Sequence, residues 1–386
     1  MHRVSVLLLM ALALGCGVSE VTVEIRGGDG NIVRLDANDL EFGRNRLVEA
    51  GTFIFPEIKR GTYSVGVVAG TYQERQSIEV TSAPISGVEP YSLVFQVPAG
   101  SNTASERVGT ILFASSKTNI INWDLFTVRA DGSGLTQLTT GPEFEQHPTW
   151  SPNGKSILFT RGEVMTNIDI YVMGEDGSDP RQLTEHPERD NLPAWSPDGS
   201  QIAFVSQRDG DVAVWVMDAD GRNKRKLVKG RDPAWSPDGS QIVFVSGQFG
   251  DSDEIYLIRP DGTDRRQLTE NKKFDWFPAW SPSGDRLVFC SERFGGQELI
   301  VSTAAGEGQT RVTIAEKTYE HEPVWSPDGK ALTFSGKMDG NYEIYVVDTS
   351  GFDLIDEESP LVVPTNLTNL TNSADRDDKS PSWRSF

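Results

Sequence analysis

The chain has 386 residues, of which 37% are hydrophobic and 24% charged, as in ordinary globular proteins. Its formal net charge is −20, from 56 acidic and 36 basic side chains. Such an acidic surface repels phosphate backbones and anionic lipid headgroups, so it argues against nucleic-acid binding and against direct adsorption on a membrane. The 37 glycines and 21 prolines favour many short strands joined by tight turns.

Residues 1–15 are predicted to be an export signal rather than folded structure. Two polar residues, His2 and Arg3, precede an apolar run from Val4 to Leu14. This run is too short for a membrane-spanning helix, which needs roughly 20 apolar residues. The run ends in Ala13-Leu14-Gly15-Cys16, which resembles a bacterial lipobox and implies lipidation of Cys16. An ordinary secretory signal that contains a cysteine by chance is the alternative.

The chain has only two cysteines, Cys16 and Cys290. Cys290 ends the apolar run Leu287–Cys290, which is predicted to be a buried strand, where a lone cysteine behaves as a small hydrophobe. A disulfide would tie a flexible terminus to a core strand, so lipidation explains Cys16 better. Gly17 follows in place of the Asp that retains lipoproteins in the inner membrane. The expected location is therefore the periplasmic side or surface of the envelope, with a lipid anchor in the outer membrane as the only membrane attachment.

Residues 16–97 are predicted to form a small β-sandwich. Apolar residues alternate with period two after Val21, Tyr63, Ile78 and Leu93, which indicates half-buried strands. The segment Phe53–Val65 resembles one hairpin of carboxypeptidase regulatory-like sandwiches, and this resemblance implies a spacer or adhesion module. The polar stretch 98–108 has no periodicity and is predicted to be a linker.

The strongest feature of residues 109–386 is an internal repeat. A Pro-x-Trp-Ser-Pro-x-Gly unit occurs five times, with successive tryptophans 45, 40, 45 and 45 residues apart. A Phe stands nine residues after each Trp, and a further apolar strand and a Leu-Thr pair follow in most units. The tryptophans are Trp150, Trp195, Trp235, Trp280 and Trp325. Four short strands in about 40–45 residues correspond to one blade of a β-propeller.

The two ends of the repeat region together complete one further blade. Residues 109–140 supply three strands of a unit but no first strand with a tryptophan. The missing strand lies at 381–385, where Pro381-Ser382-Trp383 stands. Strands from both ends in one blade close the ring and remove open sheet edges. We therefore predict an all-β protein, a six-bladed β-propeller over 109–386 with blade 1 closed by 381–385, preceded by the small β-sandwich.

These repeats resemble those of TolB-type propellers, in which Pro-x-Trp-Ser-Pro-Asp-Gly is the hallmark. The resemblance covers residues 109–386 and implies a TolB-like, WD-like propeller fold. TolB itself is periplasmic and binds the peptidoglycan-associated lipoprotein, and its N-terminal domain is larger and mixed α/β. The small all-β domain and the lipobox indicate a relative in fold rather than TolB itself.

An acidic residue stands three positions before the motif proline in five of the six blades. These residues are Glu145, Asp190, Asp275, Glu320 and Asp378. The remaining blade has Gly230 at that position and Asp232 directly before its proline. One interpretation is a carboxylate ring at the channel mouth that binds Ca²⁺ or a basic peptide. The other is that each acid satisfies backbone N–H groups of a blade-connecting turn, and a repeated position favours this second interpretation.

Other candidate sites have less support. His147, His186 and His321 do not have the spacing of metal ligands, and the chain lacks the Gly-x-Ser-x-Gly elbow of a hydrolase. The loop Lys272–Phe277 is rich in aromatic residues and belongs either to a binding face or to the packing of the fold. No catalytic residue, structural metal or cofactor is predicted.

The function predicted from the sequence is that of a non-enzymatic, monomeric cell-envelope lipoprotein. Its propeller would act as a protein-binding scaffold for an envelope protein or a peptidoglycan-associated partner. A glycan-binding surface lipoprotein is one alternative. A propeller-type polysaccharide lyase is another, and it would need a cluster of His, Arg, Tyr or metal ligands that linear spacing does not reveal.

Overall fold

The computed structural model divides the chain into two compact units, Met1–Glu106 and Arg107–Phe386. It describes residues 107–117, 122–163, 167–247, 252–312, 319–337, 340–349, 367–373 and 375–384, together with the backbone of seven strands in the first unit. Cys16 and most of the predicted linker lie outside the described residues. Their predicted roles stay predictions.

The seven strands of the first unit form two sheets, with the orders β4-β1-β7 and β3-β2-β5-β6. The strands are β1 (Val4–Leu12), β2 (Thr22–Gly27), β3 (Ile32–Leu35), β4 (Gly51–Phe55), β5 (Gly61–Ala69), β6 (Tyr72–Val80) and β7 (Tyr91–Val97). The export signal and the sandwich that the sequence predicts for this unit stay predictions, because its side chains are not described.

The second unit consists of six four-stranded antiparallel sheets, which confirms the predicted six-bladed β-propeller. Blade 1 contains β31 (Arg376–Arg384), β8 (Thr110–Lys117), β9 (Asp124–Arg129) and β10 (Thr136–Gln137). Blade 2 contains β11 (Phe144–Trp150), β12 (Ser156–Gly162), β13 (Ile168–Gly174) and β14 (Arg181–Gln182). Blade 3 contains β15 (Asp190–Trp195), β16 (Gln201–Ser206), β17 (Ala213–Asp218) and β18 (Arg225–Lys229). Blade 4 contains β19 (Arg231–Trp235), β20 (Ile242–Ser246), β21 (Glu254–Ile258) and β22 (Arg266–Gln267). Blade 5 contains β23 (Asp275–Trp280), β24 (Arg286–Ser291), β25 (Glu298–Thr303) and β26 (Thr310–Arg311). Blade 6 contains β27 (Tyr319–Trp325), β28 (Ala331–Lys337), β29 (Tyr342–Asp348) and β30 (Thr368–Asn369). The part of the chain that the structure describes contains no helix long and apolar enough to cross a membrane.

The first strands of the six blades contact one another in a closed ring, in the order β31, β11, β15, β19, β23, β27 and back to β31. They therefore surround the central axis of the propeller. Blade 1 joins the two ends of the unit, because the C-terminal strand β31 pairs with β8 and sets Trp383 opposite Ile111. The indole Nε1 of Trp383 also donates a hydrogen bond of 3.2 Å to the carbonyl oxygen of Val108.

The apolar core lies between the blades. A fully buried Phe stands at the same position in every blade, and the six are Phe113, Phe159, Phe204, Phe244, Phe289 and Phe334. Phe244 packs with Val214 of the preceding blade, and Phe289 with Val243. Cys290 is a free cysteine and is fully buried in β24, where its apolar sequence context predicted a buried strand. Burial of one large aromatic ring per blade holds neighbouring sheets face to face.

A Ser-Pro-x-Gly turn joins the first and second strands in each of blades 2 to 6, and x is Asp in blades 3, 4 and 6. In blade 4, Asp238 accepts hydrogen bonds from the Ser236 hydroxyl at 2.6 Å and from the Ser240 backbone N–H at 3.0 Å. Gly239 follows with φ +71°, in the left-handed region that glycine adopts without strain. The motif thus fixes a tight turn, and it has no need of a binding role to explain its repetition.

Candidate functional site

Every first strand of the propeller is interrupted by a β-bulge directly before its motif proline. The pairing registers shift there in all six blades, for example between Trp276 and Ala279. The residue before each proline has a positive φ between 49° and 55°, although none of the six is glycine. These residues, called the axial ring below, are His147, Leu192, Asp232, Phe277, Glu322 and Ser380. Such backbone strain is concentrated at functional sites, and bulges redirect side chains beside them.

Members of the axial ring contact one another from blade to blade. A carboxylate oxygen of Glu322 accepts hydrogen bonds from the backbone N–H of Ser380 at 2.7 Å and from the hydroxyl of Ser335 at 3.1 Å. Its other oxygen accepts the Ser380 hydroxyl at 2.9 Å. In the same way, Asp232 accepts the backbone N–H of Phe277 at 3.4 Å. An acidic member of the ring therefore ties its blade to the next one.

Charged groups of the axial ring and of the adjacent first-strand positions affect one another's pKa. Burial raises the pKa of Asp232 to about 6, and the carboxylate of Glu322 contributes to this rise. Burial lowers the pKa of His147 and of His321. The positive charge of Lys379 lowers both pKa values further, whereas the carboxylate of Glu322 raises them. Side chains from blades 1, 2, 4 and 6 thus affect one another's charge state, as the closed ring of first strands allows.

The residues one position earlier form a second set at the end of the blades where the first strands begin. This set, called the entrance ring below, consists of Gln146, Asn191, Arg231, Trp276, His321 and Lys379. All six are half-buried. No residue type occurs twice in this set or in the axial ring, whereas the acid one position earlier, the motif proline and the motif tryptophan are repeated. The entrance to the channel is therefore asymmetric, with cationic and aromatic side chains rather than a ring of acids.

Aromatic rings from blades 5 and 6 line one side of this entrance. Phe274 and Trp276 are stacked with centroids 5.5 Å apart, and Phe274 is 38% exposed. His321 makes edge contacts with Phe277 at 6.0 Å and with Tyr342 at 5.6 Å between centroids. Trp276 and Phe277 also pack partly against the apolar clusters between blades. The loop that the sequence singled out therefore contributes both to the core and to the exposed entrance.

The five carboxylates three positions before the proline lie inside the propeller. Their exposed fractions are between 0% and 4%, and they are Glu145, Asp190, Asp275, Glu320 and Asp378. Because side chains alternate along a strand, these carboxylates point away from the neighbouring entrance ring. They are called the inner carboxylates below.

Three inner carboxylates are paired with an arginine of their own blade. The distances from the arginine nitrogen to the carboxylate oxygen are 2.7 Å for Arg161–Glu145, 2.7 Å for Arg208–Asp190 and 2.8 Å for Arg293–Asp275.

Segments that connect the blades supply further donors to the inner carboxylates. The Asn271 amide lies 2.8 Å from Asp275, and the Thr139 hydroxyl donates to Glu145. The Ser373 hydroxyl lies 3.1 Å from Asp378. Glu320 accepts the Leu299 backbone N–H of the preceding blade at 3.3 Å. The inner carboxylates thus receive hydrogen bonds within the fold.

Asp232 does not lie with these five. The bulge places it in the axial ring of blade 4, where the inner position is occupied by Gly230. Its neighbour Arg231 reaches out to Asp253, 2.6 Å away, and lies 3.8 Å from Asp232 itself. The entrance ring was not predicted from the sequence. A signal for it existed, since the two positions before the motif proline differ in every blade, whereas the acid and the tryptophan around them recur.

The calcium ion considered for the channel mouth would need several converging oxygen ligands. Among the residues that the structure describes, there is no group of three or more His, Cys, Asp or Glu side chains that could hold a metal ion. The geometry described here is suited to hydrogen bonding, ring stacking and charge complementarity with another molecule.

Comparisons with known proteins agree with this architecture. Residues 229–379 match the family model of the TolB beta propeller domain. The crystal structure of TolB from Acinetobacter baumannii is similar with a TM-score of 0.61 and 16% identity, over 85% of this chain and 80% of that one. A putative TolB from Agrobacterium tumefaciens has a TM-score of 0.53 and 18% identity, over 72% of this chain and 99% of that one.

The structure of an enzyme also shares this fold. The hydrazine synthase of Kuenenia stuttgartiensis is similar with a TM-score of 0.56 and 15% identity, over 72% of this chain and 46% of that one. No curated protein matches the chain in sequence. At such low identity these likenesses establish the fold, and the function must be argued from the site.

Proposed function

We propose that this chain, which carries a TolB-like six-bladed β-propeller, is a non-enzymatic scaffold. It binds a protein partner at the entrance ring. The observation that supports this most is the difference between neighbouring positions. The residues that build the blades recur from blade to blade, whereas the six residues of the entrance ring are all different. An asymmetric ring on a symmetric frame can recognise one partner in one orientation.

The composition of the entrance fits a protein surface. Aromatic and arginine side chains are enriched at the centres of protein interfaces, and Trp276 and Arg231 stand in neighbouring blades of the entrance ring. Phe274 extends this surface with an exposed ring stacked on Trp276. We propose a supporting role for the inner carboxylates, whose arginine and hydroxyl partners fix the strands that present the entrance ring.

We further propose that the protein is exported and held to the cell envelope by a lipid on Cys16. The apolar run before Cys16 and the acidic composition support this, since the charge leaves no other favourable contact with anionic lipid. The partner would then be an envelope protein or a peptidoglycan-associated protein. Metabolic labelling with a fatty acid tests the anchor, and we expect the label on the wild-type protein and its loss in Cys16→Ser.

Capture of partners from solubilised envelope, with the full chain immobilised, tests the scaffold. We expect a partner that wild type retains and that Trp276→Ala and Arg231→Ser lose. Lys155→Ser, on an exposed turn at the other end of blade 2, is the control and should retain it. Thermal unfolding of each variant shows whether the propeller is intact.

Two results would overturn the proposal. One is capture that is equal for wild type, the entrance variants and the control. The other is tight calorimetric binding of an oligosaccharide with no protein partner, which would favour a glycan-binding lipoprotein instead. Enzymatic turnover of a glycan, if a chelator abolishes that turnover, would contradict the proposal that the protein is non-enzymatic and would favour a lyase.

A further inference from the structure

A group of cationic and aromatic side chains lies on one side of the entrance, where blades 6 and 1 meet. Its members, called the lysine–tyrosine cluster below, are Tyr319, His321, Lys337, Tyr342 and Lys379. Four come from the strands of blade 6, and Lys379 comes from β31 of blade 1. In a chain with a net charge of −20, two lysines beside one another at the channel entrance need an explanation.

Both lysines approach the same ring. The Nζ of Lys379 lies 3.9 Å from the ring centroid of Tyr342, and the Nζ of Lys337 lies 5.6 Å from it. The Tyr342 hydroxyl and the Nε2 of His321 are 3.4 Å apart. Tyr319 is paired directly opposite Lys337 in the sheet and is 51% exposed. The two ammonium groups and the imidazole therefore all lie around the ring of Tyr342, next to the exposed side chain of Tyr319.

Neither lysine belongs to a salt bridge with another described residue. Among the described residues, no carboxylate forms an ion pair with Lys337 or Lys379, whereas Arg231 and Arg293 at the same end of the blades are both paired. Two carboxylates do lie beside the cluster. Asp377 accepts the backbone N–H of Tyr342 at 2.9 Å, and Glu322 is bound by Ser335 and Ser380.

Two like charges against one aromatic ring repel each other, and the attraction of an exposed ammonium to a ring face is weak. An anion placed between the ammonium groups removes that repulsion and accepts charge-assisted hydrogen bonds from both. Burial lowers the pKa of His321, so its imidazole is neutral at neutral pH and offers a hydrogen bond rather than a third charge.

We propose that the lysine–tyrosine cluster binds a side-chain carboxylate on an acidic segment of the protein partner. This inference rests on the proposed scaffold function and specifies the chemistry of its partner. The exposed ring of Tyr319 and the ring of Trp123, 6.0 Å from the Nζ of Lys379, would cover the apolar stem of the acidic residue and its neighbours. The partner segment is thus acidic and flanked by apolar residues, even though the scaffold as a whole is acidic.

Fluorescence anisotropy with the full chain and labelled, end-blocked tetrapeptides tests the inference. We expect tetraglutamate to bind at low salt and tetraglutamine not to bind. The double variant Lys337→Gln, Lys379→Gln should weaken tetraglutamate binding at least about tenfold, because each lost ammonium removes a charge-assisted hydrogen bond. The matched control is Lys155→Gln, Lys330→Gln, which changes the net charge equally with exposed lysines at the opposite end of the blades. It should leave binding within about twofold of wild type.

Equal weakening by the two double variants would overturn the inference, because binding would then depend on net charge alone. Tighter competition by inorganic phosphate or by trigalacturonate than by tetraglutamate would also overturn it. Envelope capture separates this inference from the scaffold proposal. If the lysine double variant captures the partner as wild type does while Trp276→Ala loses it, only the carboxylate site is wrong. If no entrance variant affects capture, the scaffold proposal fails as well.

Discussion

The inner carboxylates and the entrance ring are adjacent in sequence, yet they differ in every physical respect. Asp275 is fully buried and bound by Arg293 and Asn271, whereas Trp276 is half-buried and stacks on an exposed ring. The carboxylate recurs in five blades, and in each it is a buried acceptor of hydrogen bonds within the fold. The entrance position differs in all six because the packing of the blades does not dictate it. In this repeat protein, the repeated residue indicates structure, and a varied residue that is half-buried at the channel entrance is a candidate for recognition.

The largest expected contrast is between two phenylalanines, one repeated and one not. Phe244→Ala removes a fully buried ring between blades 3 and 4 and should lower the free energy of unfolding by about 4 kcal/mol. Phe274→Ala removes a ring that is 38% exposed and should lower it by less than about 1 kcal/mol. Urea unfolding followed by tryptophan fluorescence measures both.

Partner binding should show the opposite order for the same two variants. Phe274→Ala should weaken capture from the envelope, and Phe244→Ala should leave it intact at a temperature where the propeller is folded. Similar losses of stability in both variants would contradict the distinction between repeated and varied positions.

Two aspartates of the first strands provide the next contrast, because the same substitution should act in opposite directions. Asp275→Asn removes the charge that Arg293 faces at 2.8 Å and should destabilise the propeller by about 2 kcal/mol at pH 7. Asp232→Asn keeps an acceptor for the Phe277 N–H and removes a charge that burial disfavours. It should stabilise the propeller by up to about 3 kcal/mol at neutral pH.

The pH dependence identifies the cause of the Asp232 effect. Because the pKa of Asp232 is raised in the folded state, from 3.8 to about 6, its neutral form is the stable one. Its contribution to stability is complete below pH 3.8 and is lost as the pH rises through 6. The difference between Asp232→Asn and wild type should therefore be near zero at pH 3.5 and level off above about pH 7. A difference that is constant with pH would show that the substitution acts through packing.

Much of the fold could be predicted from the sequence because the blades repeat the same pattern of strands and buried residues. The spacing of nine residues between Trp and Phe gives the two strands, and the structure buries the Phe completely in all six blades. Trp383 at the C-terminus indicated the shared blade, since a first strand was missing before Gly109. The Leu-Thr pair was seen only as a strand. In blade 4 the Thr269 hydroxyl also receives the Ile255 backbone N–H at 2.9 Å and donates to Glu254 at 2.8 Å.

The geometry of the candidate site could not be predicted in the same way. A bulge with a left-handed residue is usually indicated by Gly or Asn, but the axial ring contains His, Leu, Asp, Phe, Glu and Ser. Period-two alternation therefore gave no indication that the strand changes register before its proline. This is why Asp232 was grouped with the inner carboxylates, and why the cationic and aromatic entrance was not recognised.

The smallest expected effect concerns a repeated turn at the other end of the blades. Asp238→Ala removes the acceptor for the Ser236 hydroxyl and the Ser240 N–H, on a side chain that is largely exposed. It should destabilise the propeller by about 1 kcal/mol, as the loss of a local side-chain to backbone hydrogen bond does. Partner capture should not change, because the turn lies away from the entrance ring.

Blade 5 suggests a rescue of that variant. Its turn has Ser283 in place of the aspartate, and Asp285, two positions later, accepts the Ser281 hydroxyl at 2.9 Å. The double substitution Asp238→Ser, Ser240→Asp would give blade 4 the arrangement of blade 5 and should restore most of the lost stability. The single substitution Asp238→Ser should not. If both variants unfold at the same urea concentration, the carboxylate does not stabilise the turn, and the repetition of Asp in it needs another cause.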